Sequence, residues 1–219
     1  MQKVADDLWL LDGIPPFAVN IFVAGDTLID AGTRFAEKRI VRQVSKLDLA
    51  AHALTHAHSD HQGSTHAICE RFEIPLMCGE KEADFVESVG LAPAPPGKWS
   101  TFTKKNWAGP PHPVERRLKE GDEVAGFKVI DVPGHSPGHI AFFRESDRVL
   151  IIGDVITNMD LRTGRPGLYE PPMYTTLDPA LNRDSARKLA ALEPELVCSG
   201  HGRPLADPSR FAKFVESLD

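Results

Sequence analysis

The chain has 219 residues, 42% of them hydrophobic and 26% charged, with 17 glycines and 18 prolines, a composition that excludes a disordered or fibrous protein. A chain this long buries roughly 70% of its unfolded surface, so a core forms without disulfides. Twenty-five basic against 31 acidic residues leave a net charge of −6 with no long cationic run, which argues against a nucleic-acid partner. The three cysteines, Cys69, Cys78 and Cys198, form an odd set without a Cys-x-x-Cys pair, and this fits a reducing, cytoplasmic setting. Met1 to Leu11 is acidic and lacks a basic-then-apolar leader, and no apolar run approaches the ~18 residues of a membrane span. Neither secretion nor membrane association is expected.

The opening segment has strand character at Leu8 to Leu11, Phe17 to Val23 and Thr27 to Ile29, the last two joined by the turn Gly25-Asp26. Arg34 to Leu47 carries a helical stripe of Phe35, Ile40, Val41, Val44 and Leu47, and the apolar run Ala51 to Thr55 predicts a buried strand. Helices over Ser64 to Phe72 and Glu80 to Val89 flank a strand at Pro75 to Cys78. Leu91 to Pro113 holds six prolines together with Trp99, Phe102 and Trp107, which predicts a long loop. Strands return at Val124 to Val132, Ile140 to Phe143 and Val149 to Ile152. After a second irregular stretch, Asn158 to Thr176, Asp178-Pro179 and Asp207-Pro208 each announce a helix by an N-cap followed by a first-turn proline, with a short strand at Leu196 to Cys198 between them. No linker or repeat divides the chain, so residues 1–219 are expected to form one α/β domain.

The chemistry concentrates in Thr55-His56-Ala57-His58-Ser59-Asp60-His61, directly after a predicted strand. In an extended continuation His56, His58 and Asp60 point to one side, and a turn after Asp60 re-aims His61. Neutral imidazole and carboxylate suit Zn(II), and Fe(II) or Mn(II) accept the same set. The sequence repeats the arrangement of apolar strand, glycine and then ligand at Val132-Pro133-Gly134-His135, Ile151-Ile152-Gly153-Asp154 and Val197-Cys198-Ser199-Gly200-His201. Strands in facing sheets would bring these ends to one edge. The surplus over one tetrahedral ion suits two ions roughly 3.5–4 Å apart with an open position, which points to catalysis rather than a closed structural site.

The pattern His56-x-His58-x-Asp60-His61, followed by His135, Asp154 and His201, resembles the metallo-β-lactamase superfamily over nearly the whole chain. Asn20 to Gly32 resembles that family's first hairpin, Pro133 to His139 its Pro-Gly-His-Ser-Pro-Gly-His loop, and Ser199 to Gly202 its last ligand loop. The resemblance implies a four-layer αββα sandwich. It also implies one metal, most simply Zn(II), on His56, His58 and His135 and a second on Asp60, His61 and His201, with Asp154 bridging both. A hydroxide between the ions is the implied nucleophile, with Asp60 and Asp154 as catalytic carboxylates, Asp60 orienting the nucleophile or passing a proton to the leaving group.

Within the superfamily, the flavo-diiron branch has Glu where His58 stands and is excluded. Lactam-hydrolysing branches usually replace the bridging Asp by Cys or Ser, so Asp154 makes the chain more similar to glyoxalase II and the quorum-quenching lactonases. Glyoxalase II binds glutathione through a C-terminal helical domain, for which only one helix's length follows His201. The lactonases often carry Tyr after the bridging Asp, where Val155-Ile156-Thr157 stands, leaving Tyr169 or Tyr174 to substitute. The reading is a zinc hydrolase of an ester, thioester or lactone on a small-molecule substrate; a mononuclear iron persulfide dioxygenase, a β-lactam hydrolase and, further off, a nuclease are the alternatives. Trp99, Trp107, Tyr169 and Tyr174 are candidate substrate residues, with Lys98, Lys104, Lys105, Arg162 and Arg165 as a basic rim and Phe102 and Met173 beside them. His139 is expected to support the ligands without joining them, His52, His66 and His112 to be structural, the three cysteines to be core thiols, and Asp30 to cap a turn or hydrogen-bond near the metals.

Overall fold

The computed structural model describes residues 1–219. Its elements are, in order, β1 (Gln2–Ala5), β2 (Leu8–Leu10), β3 (Phe22–Ala24), β4 (Thr27–Ile29), α1 (Glu37–Val44), β5 (Ala51–Ala53), α2 (Thr65–Phe72), β6 (Leu76–Gly79), α3 (Glu80–Val89), α4 (Lys98–Asn106), β7 (Arg116–Leu118), β8 (Glu123–Val124), β9 (Phe127–Asp131), β10 (Ile140–Arg144), β11 (Val149–Gly153), β12 (Thr157–Met159), β13 (Pro166–Tyr169), α5 (Pro179–Ala190), β14 (Leu196–Ser199) and α6 (Pro208–Glu216). One sheet runs β1 to β7 in sequence order and the second runs β14-β11-β10-β9-β8, with β12 and β13 as a separate hairpin.

Strand alternation sorts the apolar side chains into three cores and thereby defines the layers. Phe22, Ile29 and Ala53 face Phe127, Phe142 and Ile151 between the two sheets. The intervening Val23, Leu28 and Leu54 face outward onto Ile40 and Val44 of α1, Ile68 of α2 and Val86 of α3. On the far side Ala141, Phe143, Leu150 and Ile152 meet Ala186 and Leu189 of α5 and Phe211 and Val215 of α6. The result is the expected αββα sandwich. Each fully buried large side chain such as Phe142 contributes roughly 2–3 kcal/mol of transfer free energy.

Both aspartate caps form as the sequence predicts: the carboxylates of Asp178 and Asp207 accept the N–H groups of Leu181 and Arg210, each at 3.0 Å. Other expectations need correction. The predicted loop Leu91 to Pro113 contains the helix α4, none of whose residues is buried, so no apolar stripe betrayed it. Only Phe22 and Val23 of the predicted strand Phe17 to Val23 fall in a strand, β3, because the preceding residues dock on the His201 loop through Asn20. The predicted strand Val124 to Val132 breaks into the hairpin β8–β9 at Ala125-Gly126, whose φ values of 48° and 78° are those of a tight two-residue turn. The second irregular stretch holds the β12–β13 hairpin, and the edge strands β1 and β7 have too few inward residues to show a period.

Strands β9, β10 and β11 pair antiparallel in turn, while β11 and β14 are parallel. Strands β9, β11 and β14 therefore end at the same edge. The Ile140 N–H donates to the Thr55 carbonyl at 2.9 Å, which ties the end of the β5 strand to that edge across the sandwich.

Candidate metal centre

Four chain segments leave this edge and carry the seven candidate ligands inward. After β5 the chain turns so that the His61 N–H donates to the His58 carbonyl at 3.0 Å, which aims His56 and His58 one way and His61 another. The ligand nitrogens of His56, His58 and His135 lie within 4.8 Å of one another, and so do the ligand atoms of Asp60, His61 and His201. Asp154 lies between the groups. Its Oδ1 is 3.5 Å from His61 Nε2, and its Oδ2 is 3.1 Å from His201 Nε2 and 3.7 Å from His135 Nε2.

The rings are oriented from behind. Asp30 Oδ2 accepts from His61 Nδ1 at 2.8 Å and from Thr55 Oγ1 at 2.9 Å, while Thr55 Oγ1 accepts from His56 Nδ1 at 3.1 Å. His135 Nδ1 meets Thr176 Oγ1 at 3.2 Å, and His201 Nδ1 donates to the Ala18 carbonyl. With the Nδ1 atoms engaged, each Nε2 is turned inward as a lone-pair donor. The Nε2 atoms of His56, His58, His61 and His135 and Asp154 Oδ1 are buried without a hydrogen-bond partner. Orphaned groups of this kind carry a desolvation cost unless something coordinates them.

The electrostatics also call for a cation. Burial, reinforced by neighbouring imidazoles, pushes His56 and His135 well below the ordinary histidine range, so neither takes up a proton at neutral pH. Burial opposes charge on His61 and His201 as well, yet Asp154, with Asp30 beside His61 and Asp60 beside His201, outweighs it and raises both. Burial would raise Asp154, but His201 and His61 hold it well below the carboxylate range. Positive charge is thus demanded at the point where the orphaned nitrogens converge, and the donor set fits divalent cations.

Supporting residues complete the centre. Glu82 on α3 is fully buried and accepts the Ala57 N–H at 2.6 Å, the Gly138 N–H at 3.2 Å and the Ser136 hydroxyl, clamping the first ligand loop to the His135 loop. Gly200 admits no side chain, since a Cβ there would sit 2.3 Å from Asp154 Oδ1. His139 lies behind the ligands: its Nε2 accepts the Asp154 N–H at 3.3 Å and its ring is 4.5 Å from that of His56. Burial lowers it to about 3. Asp30 takes the supporting position that the sequence left open between capping and the metal site. Thr55, Thr176 and Glu82 were missed; the only signal for Glu82 was a carboxylate beside the apolar Ala83 and Val86 on one helix.

The centre floors a cavity of about 960 Å³ reached by His58, Asp60, His135, Asp154 and His201. Trp99, Trp107 and Tyr174 line its wall, the Trp99 ring standing 5.4 Å from Trp107 and 6.1 Å from Tyr174, so that the two long loops meet across the opening. Tyr169 does not line it: it belongs to β13 and pairs with Thr157. Of the predicted basic rim only Lys104 lines the cavity, joined by Arg39, while Lys98, Lys105, Arg162 and Arg165 lie elsewhere.

The profile of the metallo-β-lactamase superfamily matches residues 14–201. The probable metallo-hydrolase YflN of Bacillus subtilis is 32% identical over 210 residues, spanning 86% of this chain and 80% of that protein. A hydroxyacylglutathione hydrolase of Bdellovibrio bacteriovorus is 33% identical over 132 residues, which cover 58% of this chain and 43% of the relative. The crystal structure of TTHA1623 in a di-iron-bound form superposes with a TM-score of 0.61 at 28% identity, covering 91% of this chain and 88% of that one. Sandwich, ligand loops and sequence agree, and the chain belongs to the metallo-β-lactamase superfamily, with the fold and the metal-ligand cluster of its metal-dependent hydrolases.

Proposed function

We propose that this chain is a hydrolase that uses two Zn(II) ions to open the carbonyl of an ester, thioester or lactone with an apolar acyl group. The observation that carries the reading is the convergence of four orphaned imidazole nitrogens and Asp154 Oδ1 on one centre, from which His58, His135 and Asp154 reach a single aromatic-walled cavity. The two ligand groups, His56, His58 and His135 with Asp154, and Asp60, His61 and His201 with Asp154, would hold divalent cations whose chemistry there would be activation of water and polarisation of a carbonyl oxygen. Asp154 lies between the two ligand groups and keeps them in register. Asp60 is the most exposed of the candidate ligands, its side chain 21% accessible, which supports a role in which its carboxylate takes a proton from the attacking water and returns it to the leaving group. Trp99, Trp107 and Tyr174 hold the acyl portion, and Lys104 and Arg39 attract a carboxylate or other anion on the substrate. The buried thiols of Cys69, Cys78 and Cys198, unpaired and raised by burial, support a reducing cytoplasmic setting.

The likeness to the di-iron-bound TTHA1623 supports a two-metal count and makes iron the metal to be told from zinc. Elemental analysis of protein purified without added metal, with turnover of thioesters, lactones and aryl esters on the same sample, tests the reading. Two or more zinc per chain, with activity lost to a chelator and restored by Zn(II), is the expected result. A single iron with oxygen uptake on a persulfide replaces it by a dioxygenase, turnover confined to β-lactams replaces it by a lactamase, and absence of bound metal overturns it.

A further inference from the structure

A second group of ligand-type side chains lies apart from the centre. His66 and Glu70 are four residues apart on α2 and so share one face of that helix. His112 comes from the segment that leads into β7. Its ring is buried, its N–H donates to the Val86 carbonyl at 3.4 Å, and Pro111 and Pro113 restrict the backbone on either side. The two imidazoles stand 5.2 Å apart at 70°, with their Nδ1 atoms 3.0 Å from each other. The ligand atoms of all three side chains lie within 4.8 Å of one another.

We propose that His66, Glu70 and His112 form a further Zn(II) site, held by three protein ligands, that clips α2 to the segment entering β7. Two imidazole nitrogens on one tetrahedral zinc stand about 3.3 Å apart, given Zn–N distances near 2.0–2.1 Å, so the observed pair needs only a few tenths of an ångström of opening. The carboxylate on the same helix face supplies a third ligand of the type zinc accepts. Water completes the tetrahedron, since His66 is half-buried and Glu70 is exposed. The alternative is a single hydrogen bond between neutral rings, which assigns no role to Glu70. None of the three residues belongs to the catalytic set, and the site stands whether that centre holds one ion or two.

Equilibrium dialysis at micromolar free Zn(II), read by elemental analysis, tests the site in the full chain. Wild-type protein is expected to take up one zinc more than His66→Asn, whatever the count at the catalytic centre, and Glu70→Gln is expected to weaken that extra equivalent about tenfold or more. Thermal unfolding supplies a readout independent of counting: added Zn(II) raises the Tm of the wild type further than that of His66→Asn. Equal zinc content and equal zinc-induced shifts in wild type and His66→Asn overturn the proposal. Glu70 is a surface side chain, so its variant keeps the test decisive even if His66→Asn lowers the zinc-free stability: an unchanged affinity in Glu70→Gln reduces the site to an adventitious histidine pair and overturns the three-ligand assignment.

Discussion

Asp30 Oδ2 lies 2.8 Å from His61 Nδ1, both groups being buried, and the same carboxylate reaches His56 through the Thr55 hydroxyl. One residue outside the ligand set therefore sets the ring orientation of one ligand in each metal group. Removing such a partner typically weakens metal binding by 10–100-fold. Asp30→Ala is expected to lose metal to a chelator at correspondingly lower concentration, whereas Asp30→Asn retains more, because it preserves an acceptor for one of the two rings. Chelator competition on the purified variants measures this, and a wild-type profile in Asp30→Ala would remove Asp30 from the centre.

Glu82 holds the two ligand loops together from α3. Deleting its carboxylate leaves the Ala57 and Gly138 N–H groups and the Ser136 hydroxyl without their buried acceptor, at about 1–3 kcal/mol each before relaxation. Glu82→Ala should lower the unfolding free energy by roughly 3 kcal/mol or more and reduce metal retention as well. Glu82→Gln should lose less stability, since its one carbonyl oxygen still accepts. Urea unfolding with and without metal separates the two effects, and equal stability of wild type and Glu82→Ala contradicts the clamp.

His52 gives a pH dependence whose sign is determined. Its Nδ1 donates to the Leu28 carbonyl at 3.0 Å and its Nε2 accepts from Thr65 Oγ1 at 2.9 Å, an arrangement that requires the neutral ring. Burial lowers it to about 4, against about 6.5 in an unfolded chain. The unfolded state therefore gains a proton first as the pH falls. The stabilisation is fully present above about 6.5 and is lost between there and about 4, on the order of 3 kcal/mol in all. In metal-free protein the drop in urea midpoint from pH 7 to pH 5 should be smaller in His52→Gln than in the wild type. Parallel drops would show that this ring does not drive the loss.

Trp99 and Tyr174 belong to different loops and meet over the cavity. Truncating either removes apolar area available to a bound acyl group, worth about 1–2 kcal/mol and thus a 5–30-fold loss in kcat/KM. Under the proposed function this loss should fall mainly on KM, and only for substrates with a long or aromatic acyl chain, because the metal ligands are untouched. Comparing acetyl and long-chain esters in Trp99→Ala and Tyr174→Ala checks it. Equal losses on both ester types would assign these rings to the structure of the opening instead of the substrate.

Much of this protein was determined by sequence alone, because the signals are local. The alternation of Phe22 with Val23, and of Phe142 with Ala141 and Phe143, encodes which face of each strand is buried, and the Asp178-Pro179 and Asp207-Pro208 pairs encode helix starts. The candidate ligands were legible because each group follows a short apolar strand within a few residues, and imidazole has few reasons to cluster so densely. What the tertiary structure decided depends on approach between distant segments. Asp30 reaches His61 only once β4 and β5 pair, Glu82 reaches Ser136 and Ala18 reaches His201 only once the sandwich closes, and a lone acidic residue or a backbone carbonyl carries no mark of its future partner. Likewise α4 hid among prolines because an exposed helix shows no apolar stripe, and only packing could place Trp99, Trp107 and Tyr174 on the cavity wall and Tyr169 off it. Periodicity records burial against one's own layer, whereas orientation of a ligand or a cavity wall is set by long-range contacts that no local pattern encodes.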